Sequence, residues 1–476
     1  MSPTSMRARS WRGRIADWWA PTWQWVLLAA GAAVAVYILL DERARNAPML
    51  AFAVAALVIA AAVTSSTPMA IALMAMPGLL IIQRVGIGGT DLSVSDVSLA
   101  AAFGAAVLLG QRPYSSSLRW MLWLNFVYQF TSFITVIVNP YTANTVEWFH
   151  AWLLISGALI VGWAVGCAGY ARLAFGLMLA TACIIAVITI AHAIPQYATG
   201  DFGAIYLEWP FAMHKNFVGT TLAIVAVIAY INPDWVGWSR RLSGSAFLLL
   251  ATAILMSQSR QAIIGLIAAV LVGVIRRQVT GRSRSVVFLL VIPAAWIVIG
   301  MVIEQIESQN EFNSVYQRLT WFRDVYHLWQ ESPFFGHGLR YWYQLPGEFQ
   351  PPQAELEIVA STGLLGLFGF GVMWLGMLIV LWRIDPRFGT LAFAVALSRI
   401  VQAQFDLFWV AAAVSIPFVI VGISLGAMER ERLSASKAES DARGAPDGEP
   451  GSPVRATRPE ATATVAATAA RRPPGR

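Results

Sequence analysis

Of the 476 residues in this chain, 57% are hydrophobic and only 12% are charged, whereas soluble proteins carry about a quarter charged residues. That balance excludes an ordinary soluble enzyme and describes a polytopic integral membrane protein of the all-α class. The net charge of +7 does not point to nucleic acid, because the basic residues sit in short loops and tails instead of on one amphipathic face, as membrane topology requires.

Taken in order, the chain starts with Arg7, Arg9, Arg12 and Arg14 ahead of a long apolar run, with no small-residue cleavage site after it. This reads as a basic cytoplasmic N-terminus, residues 1–22, followed by a retained helix. A helix needs about 20 apolar residues to cross the hydrocarbon layer. On that measure residues 23–303 hold eleven spans, near 23–40, 48–63, 68–82, 97–110, 120–138, 148–165, 173–193, 217–231, 246–256, 261–275 and 286–303. Residues 304–352 form the one long polar segment. Residues 353–428 hold three more spans, near 355–382, 390–403 and 408–428, giving about 14 transmembrane helices, with 12 to 14 as the range. The tail, residues 429–476, has almost no large apolar side chain and is expected to be disordered.

Short cytoplasmic loops collect Arg and Lys. With the N-terminus inside, Arg112, Arg119, Arg172, Arg240, Arg241, Arg276, Arg277, Arg282, Arg284, Arg383 and Arg387 all fall on the inner side. Arg43 and Arg45, beside Asp41 and Glu42, are the exception. Both termini are then cytoplasmic, and four segments lie outside: 84–96, 194–216, 257–260 and 304–352. Cys167 and Cys183, the only cysteines, leave no room for a disulfide framework or a thiolate metal site.

The outer segments carry the candidate chemistry. In the large loop Phe312, Val315, Tyr316, Leu319, Phe322, Tyr326 and Trp329 recur at spacings of three and four, the mark of one amphipathic helix. Arg318 and Arg323 on that helix have no carboxylate three or four residues away to pair with. They are either solvated charges or an anion site. The loop's 12 aromatic residues in 49 fit an interfacial belt and fit sugar stacking equally well. His337 stands between Gly336 and Gly338 after Pro333, in a tight turn where backbone can approach a ligand.

Lys215, followed by Asn216, sits on the outer side against the inside bias of basic residues. Arg260 lies between two apolar spans with hardly any loop to solvate it, where a charge is costly and usually functional. Arg399, near the outer end of the next-to-last span, has Asp406 as its possible partner. No outer segment has the spacing of a Mg or Zn site, and there is no phosphate loop or nucleotide domain. An activated substrate must therefore bring its own leaving group.

The run Arg318-Leu-x-Trp, then Pro333-x-x-Gly336-x-Gly338-Leu, then Gly363-Leu-Leu-Gly366, together with Lys215-Asn216 and Ser259-Arg260, resembles the O-antigen ligase and polysaccharide polymerase superfamily of membrane glycosyltransferases. The resemblance covers roughly residues 213–366. It implies transfer of a glycan from a polyprenyl-diphosphate-linked donor to a glycan or glycolipid acceptor, at the extracytoplasmic face of a bacterial inner membrane, with no cofactor, metal or nucleic acid. It also implies that outer arginines hold the lipid diphosphate, since guanidinium binds phosphate oxygens bidentately. Arg260, Arg318 and Arg323 are the main candidates, with Lys215 and Arg340 behind them and Asn216 and Arg399 as secondary ones. Ligases of this kind have a His ahead of the Gly-x-x-Gly, where this chain has Pro352-Gln353. Deprotonation of the acceptor then falls to His337, to Glu355 or Glu357 at the start of the next span, or needs no strong base. The rival reading is a transporter that moves the lipid-linked glycan without chemistry.

Overall fold

The computed structural model describes Thr22 and residues 67–87, 90–208, 212–276, 314–343, 350, 352–409 and 411–444. The spans expected at 23–40, 48–63 and 286–303 lie outside these residues. The described chain is helical apart from one two-stranded hairpin. Helix α1 (Ala70–Gly78) leads into antiparallel strands β1 (Arg84–Ile87) and β2 (Thr90–Ser93), then α2 (Val94–Leu109) and α3 (Ser116–Val138). Helix α4 (Thr142–Trp152) passes through a π-helical turn at residues 153–157 into α5 (Ala158–Cys167). Helices α6 (Ala171–Ala198), α7 (Lys215–Ile231), α8 (Arg240–Ser257), α9 (Arg260–Arg276) and α10 (Ser314–Glu331) follow. The last are α11 (Ala354–Arg383), α12 (Pro386–Ala403) and α13 (Ala411–Gly444).

Among the described residues, five stretches are long and apolar enough to cross a membrane: Ser116–Val138, Thr142–Cys167, Ala171–Ala198, Ala354–Arg383 and Ala412–Asp441. Their boundaries follow from local chemistry. Ser93 and Asp96 form a reciprocal capping box at the start of α2, and the Ser115, Ser239 and Asp385 side chains accept the free backbone N–H groups that open α3, α8 and α12. Asn232 and Gln258 end α7 and α8 with positive φ of 38° and 51°. The last helix runs on through Glu429 to Gly444, past the expected end of the span. Ala, Glu, Arg and Lys dominate that extension, and all are good helix formers.

Small residues set the closest helix crossings. Gly162 and Gly166 on α5 face Gly422 and Gly426 on α13 so tightly that a Cβ on any of the four would lie within 2.4 Å of the other helix's backbone. This is the small-xxx-small packing by which helices associate where water offers no hydrophobic drive. Helix α3 packs along α11, with Gly369 against Thr131 and the rings of Tyr128 and Phe370 5.7 Å apart.

The amphipathic helix of the large loop is present as α10, but it packs on a different stripe from the one expected. Val325, with Trp321 and Leu328 beside it, covers Leu356, Val359 and Ala360 on the first turns of α11, whereas Phe322 and Tyr326 are exposed. The helix has apolar residues on more than one face, so periodicity alone allowed two stripes. The site of contact with α11 selected one.

Candidate functional site

Three helices begin around one short turn. Helix α7 opens at Lys215, with Nδ1 of its N-cap His214 accepting from the Asn216 backbone N–H at 3.3 Å. Helix α9 opens at Arg260 after a two-residue connection in which Gln258 takes the left-handed conformation. Gly219 presses on Ser259, where an added Cβ would come within 2.4 Å of the Ser259 Cβ, and so brings the two helix starts together. Lys215 lies close enough to Arg260 that this charge, after partial burial, lowers the lysine pKa below its ordinary value. Two helix N-termini and two cations meet here, an arrangement that favours negative charge.

The turn 404–409, which follows α12, is pinned from all sides. Gln261, the residue after Arg260, donates from Nε2 both to Asp406 Oδ2 and to Thr220 Oγ1 on α7. From α11, Glu355 Oε1 accepts from Gln404 Nε2 at 2.7 Å, and Glu357 Oε2 accepts from the Phe408 N–H at 2.8 Å. The second oxygen of Glu355 is buried without a partner. Glu357 is fully engaged, since its Oε1 also accepts from Gln350 Nε2. Arg399, expected as a ligand contact with Asp406 as possible partner, is 1% exposed and donates from Nη2 to the carbonyls of Leu407 and Phe408. It braces the turn from within.

The Pro333–Gly338 segment closes a break in α11. At Gly363 the backbone leaves the helix, with φ 63° and ψ −165°, which strands helical hydrogen-bonding groups on either side. The loop supplies the partners. His337 N–H donates to Ala360 O, Gly338 N–H to Ser361 O, and the N–H groups of Leu364 and Leu365 donate to Pro333 O and Phe334 O. Gly336 and Gly363 also have positive φ; the first faces the backbone of Ser361 and Thr362 and the second that of Phe334 and Phe335, at distances no Cβ tolerates. The glycines around His337, expected to admit a ligand, are therefore taken up by this lock. The His337 ring is packed as well, with Nε2 donating to Leu328 O at 2.9 Å and the ring 4.8 Å from Tyr341.

Arg340 is engaged elsewhere. Its Nε donates to Glu147 Oε2 at 2.7 Å, Glu147 Oε1 lies 3.3 Å from His150 Nδ1, and His150 Nε2 lies 2.8 Å from Asp96 Oδ1. Only a doubly protonated ring can donate to both carboxylates, so charges alternate along the row. With Asn144 Oδ1 accepting from Leu339 N–H and Asn139 donating to Gly336 O, this row docks the loop on the α3–α4 connection. Arg323 is exposed. Arg318 falls in register with Trp321, Val325 and Leu328, and its side chain lies outside the described residues.

Of the residues singled out from sequence, Lys215, Asn216 and Arg260 come together beside Asp406, with Glu355 joined to the same turn through Gln404. Sequence reasoning missed Gln261 and Gln404, and missed Asp96, Glu147 and His150 altogether. The i, i+3 pair Glu147 and His150, inside an apolar run, was the available signal for the last group.

An all-α membrane bundle with a cationic, amide-lined site where several helices begin is the class of protein these features define. Residues 245–371 match the family model described as O-Antigen ligase, and over that stretch the chain is similar to this family. That match contains Arg260, Arg318, His337, Glu355 and the Gly363 lock, and ends before α12. No curated protein matches the chain.

Proposed function

We propose that this protein transfers a glycan from a polyprenyl-diphosphate-linked donor to an acceptor sugar at the extracytoplasmic face of the membrane, as a surface-polysaccharide polymerase or a ligase. One observation carries the reading: Lys215 and Arg260 each open a helix, the contact of Gly219 with Ser259 brings those two helix starts together, and the Arg260 charge is felt at Lys215. Two cations with no ion pair to either among the described residues suit a ligand with two adjacent negative groups. A lipid diphosphate is such a ligand, and stabilising its departure is the electrostatic part of glycosyl transfer. In this reading Lys215 and Arg260 bind the diphosphate, Asn216 adds a polar contact, and Arg318 and Arg323 serve the donor from α10. Arg340 and Arg399 hold structure, and His337 fixes the loop instead of taking a proton at Nε2.

The test is release of polyprenyl diphosphate from lipid-linked glycan extracted from producing cells, with the purified full-length protein in liposomes and native membranes as acceptor source. Lys215→Ala and Arg260→Ala are each expected to weaken binding of undecaprenyl diphosphate at least tenfold, because a charge-assisted phosphate contact contributes about 1.5–3 kcal/mol. Binding and release unchanged in both variants would refute the site.

A further inference from the structure

We infer that Asp406 accepts the proton of the acceptor hydroxyl during transfer, held for that task by Gln261; the inference rests on the donor site proposed above. The acceptor needs a proton acceptor near the cations; of the groups considered from sequence, Glu355 keeps one oxygen without a partner, but that oxygen is buried. His337 already donates from Nε2 to Leu328 O, and Glu357 is buried, at 3% exposed. Asp406 is different on three counts.

It lies in the non-helical turn that faces the starts of α7 and α9, and it is only partly buried. Its Oδ2 accepts from Gln261, whose amide also reaches Thr220, so the two helices that present Lys215 and Arg260 jointly fix this carboxylate. The same dipeptide, Arg260-Gln261, thus carries a donor cation and the orienting group of the base. Its Oδ1 accepts only the Leu407 N–H among the hydrogen bonds of the described residues, and carboxylate oxygens carry about four acceptor positions in all. The charged and titratable neighbours are His214 on the α7 side, Arg399 from α12 and Glu357 from α11, with Lys215 in turn next to His214. Arg399 does not take the carboxylate, since its Nη2 serves the Leu407 and Phe408 carbonyls.

The step balances simply. The acceptor oxygen forms a bond to the anomeric carbon as its proton passes to Asp406. The bond from that carbon to the diphosphate oxygen breaks, and its electron pair leaves with the polyprenyl diphosphate. Asp406 then loses the proton to water.

The experiment uses the full-length protein in liposomes with the lipid-linked glycan above, reading polyprenyl diphosphate release and, separately, binding of undecaprenyl diphosphate. Asp406→Asn removes the base and keeps one of the turn's two hydrogen bonds, because its single amide oxygen can still accept from Gln261 or from the Leu407 N–H. It is expected to cut kcat by about 10²-fold or more, the usual range for a positioned acid or base, with diphosphate binding within about twofold of the parent. Asp406→Glu is expected to recover part of that loss, and Gln261→Ala to lower kcat by a smaller factor. Release by Asp406→Asn within about threefold of the parent, while Arg260→Ala fails to bind, would overturn the assignment and leave the donor site standing. Loss of binding in step with release in Asp406→Asn would overturn it too, as the mark of a structural role. If Lys215→Ala and Arg260→Ala bind and turn over normally, the donor site itself falls and this inference with it.

Discussion

Replacing Gly363 by alanine puts a methyl group where the Phe334 carbonyl already lies. At φ 63° and ψ −165° the residue occupies a region that side chains avoid, at a cost of order 1–3 kcal/mol. The added Cβ would stand 2.4 Å from Phe334 C and 2.6 Å from Phe335 N. Backbone cannot yield as a flexible side chain does, so overpacking adds about 1–3 kcal/mol. The molecule escapes both costs by undocking the loop, which gives up the four backbone hydrogen bonds from His337, Gly338, Leu364 and Leu365. A combined penalty of about 4 kcal/mol opens the lock some 10³-fold more often. Hydrogen exchange followed by mass spectrometry is the assay: amide protection should fall in peptides covering 333–338 and 360–365 and stay unchanged across α5 and α13. Release of polyprenyl diphosphate should drop with it, since α10 and its arginines hang on the same loop. Unchanged exchange in both segments, with normal activity, would show that the loop does not serve as the missing part of α11.

Two further outcomes are expected. Glu147→Gln removes the central charge of the row from Arg340 to Asp96, leaving two cations to one carboxylate; because the amide can still accept from Arg340, the loss should be near the lower end for breaking a buried network, about 3 kcal/mol. Thermal unfolding followed by tryptophan fluorescence checks it, and a stability within about 0.5 kcal/mol of the parent would mean the row is ornamental. Lys215 and Lys437 are the only lysines, so acylation of Lys215 can be followed cleanly by mass spectrometry. Arg260 is one of the two causes that lower the Lys215 pKa; Arg260→Ala should therefore raise that pKa, leave less neutral amine at a given pH, and shift the acylation profile to higher pH. An identical profile in the variant would separate the two cations and remove the basis of the anion site.

Much of this arrangement is legible in one dimension. The apolar runs between residues 116 and 231 and between 353 and 403 mark their helices to within about six residues, because a membrane imposes both length and composition on whatever crosses it. Lys215 and Arg260 are conspicuous for the same reason: an ionised side chain beside apolar runs has few explanations. What these residues meet is another matter. Gly336 and Gly338 look like room for a ligand in sequence, yet the first is filled by the backbone of Ser361 and Thr362 and the second by the Tyr141 side chain, both from other elements. His337 looks unpacked, yet Leu328 and Tyr341 hold it.

Arg340 and Arg399 are indistinguishable from Arg260 by local context, and only their partners tell them apart. Glu147 on α4 engages the first, while the carbonyls of the turn after α12 engage the second. The amphipathic pattern of α10 permits two faces, and the choice of Trp321, Val325 and Leu328 was made by Leu356 and Ala360 on α11. Hydrophobicity and charge along the chain therefore determined that helices form, where they begin and which cations are out of place. Which cations are left facing a ligand depended on hydrogen bonds between residues far apart in sequence, and those exist only once the bundle has closed.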